Sequence, residues 1–162
     1  MPLLINGKIT EDKWIALDEE AFASDPDRVI ASLIANNSAV IYPLASFLAH
    51  REALKGHSQN VALAVTGDDN LNELTELLDE VALIAIEFPV LRDGRGFSIA
   101  RNIVRRGFKG EVRAIGDVGF DRLDNMHRSG FNAYQVESED CAQMFAKAIQ
   151  EISVNYQPTH HR

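Results

Sequence analysis

A chain of 162 residues, 46% of them apolar, is long enough to bury one proper core and is read as a single domain over residues 1–157. Its net charge of −8 removes the surplus of Lys and Arg that non-specific phosphate binding needs, so no nucleic-acid partner is expected. The one cysteine, Cys141, rules out an internal disulfide, a Cys-x-x-Cys pair and a cysteine-ligated iron–sulfur cluster held by this chain alone.

Chain order gives a regular rhythm. Leu3-Leu4-Ile5, Asn6-Gly7 and an extended run through Trp14 and Ile15 read as a hairpin over residues 3–17, because Asn-Gly tolerates positive φ in a tight turn. Pro26 opens a helix striped by Val29, Ile30, Leu33 and Ile34, which Asn36-Asn37 ends. A short strand at 39–42 precedes a helix from Pro43 that carries Phe47, Leu48 and Leu54. The unbroken apolar run Val61–Val65 predicts a strand buried on both faces, and a leucine-striped helix follows at 71–78. Strands at 81–87, 112–117 and 132–136 then alternate with helices at 98–107 and 120–129. Ser138, followed by Glu139 and Asp140, caps a long final helix to about residue 155, with Cys141 on its apolar stripe. The tail 158–162 is expected to be disordered. Five strands alternating with helices predict an α/β fold: a mainly parallel five-stranded sheet in an open three-layer sandwich, with an N-terminal β-hairpin. Met1-Pro-Leu-Leu-Ile-Asn6 lacks the basic start of an export signal, and no run is of membrane length. A cytoplasmic protein with no membrane partner is therefore expected.

Charge is unevenly spread. Residues 92–128 hold nine Lys or Arg against five Asp or Glu, which leaves a net −12 on the rest of the chain. Solvated helix faces account for this, and so does a local anion site. The loop Asp93-Gly94-Arg95-Gly96-Phe97-Ser98 leads from an apolar strand into a helix, where backbone N–H groups beside a guanidinium suit a phosphate, sulfate or carboxylate. The anion-binding candidates are therefore Asp93, Gly94, Arg95, Gly96 and Ser98, with Arg101 and Arg113. The other reading is that Asp93 and Arg95 pair and close the loop. A dinucleotide fingerprint is incomplete, since Ile99 stands where the third small residue belongs and five residues separate Phe88 from Gly94. Glu87 and Asp117 end successive strands and are candidate catalytic carboxylates, for acid and base roles or for a metal. Each of them would equally serve to neutralise an arginine such as Arg95 or Arg113. The five histidines show no zinc spacing, and there is no Gly-x-Ser-x-Gly elbow, so no metal ligand or hydrolytic nucleophile is assigned.

The segments Phe88-Pro89-x-x-x-Asp93-Gly94-Arg95-Gly96-Phe97-Ser98-x-Ala100-Arg101 and Gly110-Glu111-x-Arg113-Ala114-x-Gly116-Asp117-Val118 resemble a bacterial family, domain of unknown function 934. Glu11-Asp12-x-Trp14, Tyr42-Pro43-Leu44 and Gly130-Phe131-Asn132-Ala133-Tyr134 are similar to it too. The chain departs from the pattern at Gly119-Phe120-Asp121-Arg122, where the family tends to read Arg-Asp-Gln, and at Ser129, where a cysteine is common. Members accompany sulfite reductase and are described as oxidoreductases or accessory proteins of assimilatory sulfite reduction. The resemblance implies that pathway and no catalytic assignment or cofactor. Two functions stay open: an accessory or partner protein of sulfite reductase or another sulfur-assimilation enzyme, and a small enzyme, an oxidoreductase candidate, acting on an anionic metabolite at the 93–98 loop. A homo-oligomer is compatible with either.

Overall fold

A computed structural model describes residues 2–89 and 94–155. Asp93 and the tail 158–162 lie outside the described residues. Eight strands form one sheet: β1 (Leu3–Ile5), β2 (Lys8–Thr10), β3 (Ile15–Ala16), β4 (Val40–Pro43), β5 (Val61–Val65), β6 (Leu83–Phe88), β7 (Glu111–Gly116) and β8 (Ala133–Gln135). The helices are α1 (Glu19–Ser24), α2 (Pro26–Ala35), α3 (Leu44–Ala49), α4 (Leu71–Thr75), α5 (Arg95–Arg105), α6 (Leu123–Ser129) and α7 (Glu139–Asn155). The α/β fold agrees with the sequence; the strand count does not. Strands β4–β8 are the five expected, and the hairpin β1–β2 joins β8 as the antiparallel end of the same sheet. β3 falls in the extended run expected through Trp14 and Ile15, but it pairs in parallel with β4 instead of folding back on β1.

Strand order is β2-β1-β8-β7-β6-β5-β4-β3, so the parallel strands β3 to β8 run in chain order without reversal. Crossovers of one hand then lay every helix on the same face. Buried residues of the helices, such as Ile30, Phe47, Leu74, Ile103, Met126 and Phe145, join one core with Tyr42, Leu63, Ile84, Val112 and Tyr134 of the strands. The opposite face carries a separate, smaller cluster of Ala62, Leu83 and Ala85, with Trp14 packed on it. The three-layer sandwich is thus corrected to helices on one side only, and no reversal of strand order creates a switch-point crevice.

The expected hairpin over 3–17 is also shorter. Asn6 (φ 52°) and Gly7 (φ 81°) do make the tight turn between β1 and β2, yet the chain does not continue along the hairpin to Trp14. It crosses instead from β2 at one end of the sheet to β3 at the other. Laid flat, eight strands would hold those edges about 34 Å apart. The five Cα steps from Thr10 to Ile15 span at most about 18 Å. The sheet must therefore curl, and residues 11–14 form a strap across its concave face. Register sets the direction: Thr10 lies level with Leu3 and Gln135, whereas Ile15 lies level with Val40 and Val61. The strap descends from the carboxyl rim of the parallel strands towards their amino ends.

Candidate functional site

The rim comes first, since the loops there leave consecutive strands. Gly116 ends β7 at φ +82°, and a Cβ on it would stand 2.4 Å from the Phe88 carbonyl oxygen. Only glycine accepts both the left-handed backbone and that approach. It lets the Asp117 N–H donate to the Phe88 carbonyl at 2.8 Å, which carries Asp117 onto the rim. The Asp117 carboxylate faces Arg122 Nη2 at 3.8 Å, and Arg122 Nη1 is buried without a hydrogen-bond partner among the described residues. Glu87 is exposed near the end of β6, in register with Ile115. No hydrogen bond joins Glu87 to Asp117, so the two candidate carboxylates share the rim without forming a pair among the described residues.

Arg95 stands on the same rim, one loop away. Its Nη1 donates to Asp68 Oδ1 at 2.7 Å, and its guanidinium lies on the Gly67 backbone, where a Cβ would come within 2.7 Å of Nε. Of the remaining loop candidates, Gly94 and Ser98 are exposed, while Gly96 is buried. Gly96 faces the Phe88 ring, which a Cβ would meet at 2.8 Å. Gly96 therefore seats α5 on β6, where no side chain larger than hydrogen fits. Arg101 is exposed on α5, away from the rim, and forms no ion pair among the described residues.

Arg113 belongs elsewhere. It sits in the middle of β7 on the concave face, 1% exposed, with alanines (Ala85 and Ala133) in register on both sides. Its Nε donates to Glu111 Oε2 at 2.7 Å and its Nη1 to Asp12 Oδ2 at 2.9 Å. Its Nη2 is buried and has no partner among the described residues. The carboxylates that balance Arg113 are thus Glu111 and Asp12, neither of them an expected partner. Strand alternation could have found Glu111, which lies two residues before Arg113 on one face. Asp12, Asp68 and Arg122 have no local signal, since their partners are set by the curl and by the rim loops.

Titration shifts lie away from the rim. Burial against the helix layer pushes the Tyr42 and Tyr134 phenols upward, and the Tyr134 hydroxyl donates to the Phe131 carbonyl at 3.2 Å. Glu80 is held below its ordinary value by hydrogen bonds from Arg51, whose Nε donates to both carboxylate oxygens at 2.9 and 3.1 Å. Among the described residues, no three His, Cys, Asp or Glu side chains converge as a metal would require. No helix is long and apolar enough to cross a membrane, again among the described residues.

The chain belongs to the family described as "Bacterial protein of unknown function (DUF934)", whose model matches residues 62–162. That span runs from Ala62 in β5 through α7, so it includes the rim residues Asp68, Glu87, Arg95, Asp117 and Arg122 as well as Arg113, and leaves β3, β4 and the strap outside. No curated protein matches the chain. Among solved structures, the chain is similar to a thiamine phosphate pyrophosphorylase from Pyrococcus furiosus, at 15% identity and a TM-score of 0.48, over 86% of this chain and 82% of that one.

Proposed function

We propose that this member of a family of unknown function is an accessory protein of assimilatory sulfite reduction, docking on sulfite reductase through a cationic helix face. The observation that carries the docking surface is a set of exposed cations, Arg101, Arg105, Arg106 and Lys109, along and just beyond α5. They form no ion pair among the described residues, in a chain of net charge −8. Charge of one sign gathered along one helix and the turn after it steers an oppositely charged protein surface and speeds its encounter. The identity of the partner comes from the resemblance to proteins that accompany the reductase. Reduction of sulfite runs through siroheme and an iron–sulfur cluster, and one cysteine cannot hold a cluster ligated by several. A supporting role therefore fits this chain better than electron transfer by it.

The alternative, an enzyme acting on an anionic metabolite at the 93–98 loop, has less behind it. Arg95 is already engaged by Asp68, and Gly96 is used for packing. Deletion of the gene tests the proposal. The expected strain grows on cysteine and fails, or grows slowly, on sulfate or sulfite as sole sulfur source. Normal growth on both anions would overturn it.

A further inference from the structure

The buried guanidinium of Arg113 has three sets of donors and only two are used. Glu111 takes Nε and Asp12 takes Nη1 through a single oxygen, Oδ2. The other Asp12 oxygen accepts from the Trp14 backbone N–H at 3.0 Å, so Asp12 does not reach Nη2. Among the described residues, Nη2 is buried without a partner on the concave face. A guanidinium whose two terminal nitrogens face a common direction is a fork for a two-oxygen acceptor, and a one-oxygen contact uses half of it. A buried donor left unmade carries its full desolvation penalty, so the arrangement calls for an occupant that fills both arms.

The group standing in one arm is on the least anchored segment nearby. Among the described residues, the backbone of 11–14 makes no hydrogen bond to another element. What holds the strap is the Asp12–Arg113 ion pair and the packing of Trp14 on the Ala62, Leu83 and Ala85 cluster. Asp12 is also the more open of the two acids, at 25% exposure against 17% for Glu111. Segments with few backbone bonds and partial exposure open at low free energy. When the strap lifts, Asp12 leaves and Arg113 presents Nη1 and Nη2 together, flanked by the small side chains of Ala85 and Ala133. An entering oxyanion replaces one carboxylate, and a monoanion keeps the charge of the cluster unchanged.

We propose that Arg113 is an oxyanion-binding group on the concave face, kept closed by Asp12 on the 11–14 strap, which a carboxylate or phosphate-type ligand displaces. It is independent of the docking proposal, since α5 lies on the other face of the sheet. The only tryptophan in the chain, Trp14, sits two residues from Asp12 and reports the strap directly. The full-length protein is titrated with inorganic phosphate and, separately, with acetate, at ionic strength held constant with sodium chloride, while Trp14 emission and acrylamide quenching are followed. Asp12→Ala removes a tethered competitor whose effective concentration is in the millimolar range, so half-saturation should fall at least about tenfold relative to the natural protein. Arg113→Met should abolish the response. Arg113→Lys, which keeps the charge and loses the fork, covers the case in which the Met variant does not fold, and it too should lose the response. Saturation by phosphate alone marks a phosphate-type ligand; saturation by acetate alone marks a carboxylate. No saturable binding of either probe to Asp12→Ala, followed by titration calorimetry because the strap there has already lost its Asp12 hold, or the same binding in Arg113→Lys, would overturn the proposal.

Discussion

Glu111→Ala probes the concave-face cluster with the largest expected effect. Arg113 is 1% exposed and Glu111 17%, so the Nε–Oε2 bond at 2.7 Å is made almost out of water. Removing the acid leaves Nε unpaired beside an Nη2 that already lacks a partner, with Asp12 alone to balance the charge. Deleting one partner of a buried pair costs about 3–5 kcal/mol, and the remaining Asp12 contact sets this case near the low end, about 3 kcal/mol. For a domain of this size that is a fall in Tm of about 6–12 °C. Glu111→Gln keeps a neutral acceptor for Nε and should lose about half as much. Thermal unfolding followed by far-UV circular dichroism, with urea unfolding as a check on the free energy, measures both variants. A Glu111→Ala protein within about 1 °C of the natural one would show that Arg113 is not held as described.

Two further outcomes are expected. Gly116→Ala combines a left-handed backbone with a 2.4 Å approach to the Phe88 carbonyl, and urea unfolding should show a loss of about 2–3 kcal/mol. The folded-state pKa of Glu80 is lowered, so its stabilisation is complete above the ordinary value of 4.5 and is lost as pH falls through the folded value. Glu80→Gln should therefore be less stable than the natural protein at neutral pH, with the difference shrinking in an acid titration of Tm below that value.

Much of the fold was legible because its strands are apolar runs punctuated by turn residues. Val61–Val65 matches its strand end to end, and Asn6-Gly7 makes the predicted turn. What escaped was long-range. The extended run through Ile15 is legible, but its pairing to β4 at the far side of the sheet is not, since no local residue pattern sets it. The placing of all helices on one face follows from strand order, which a sequence read segment by segment does not contain. The same limit applies to the site. Topology alone sends Glu87, Arg95 and Asp117 to the carboxyl rim, since each stands where a parallel strand ends or the next helix begins. Glycine at position 96 has two uses, a phosphate loop or close packing, and the Phe88 ring 2.8 Å from its would-be Cβ accounts for the second without bearing on the first. Arg113 was grouped with the loop by its charge, whereas the pleat turns it to the concave face, where the strap supplies Asp12 from 101 residues away.

The docking claim is tested most directly by equilibrium binding of the purified chain to purified sulfite reductase, measured by sedimentation velocity over a series of salt concentrations. The account predicts a complex that weakens steeply as salt rises, and at least a tenfold weaker one for the charge reversal Arg101→Glu/Arg105→Glu, whose Tm should stay close to that of the natural protein because both side chains are exposed. Absence of a complex at low salt, or binding by the reversed variant as tight as that of the natural chain, would contradict it.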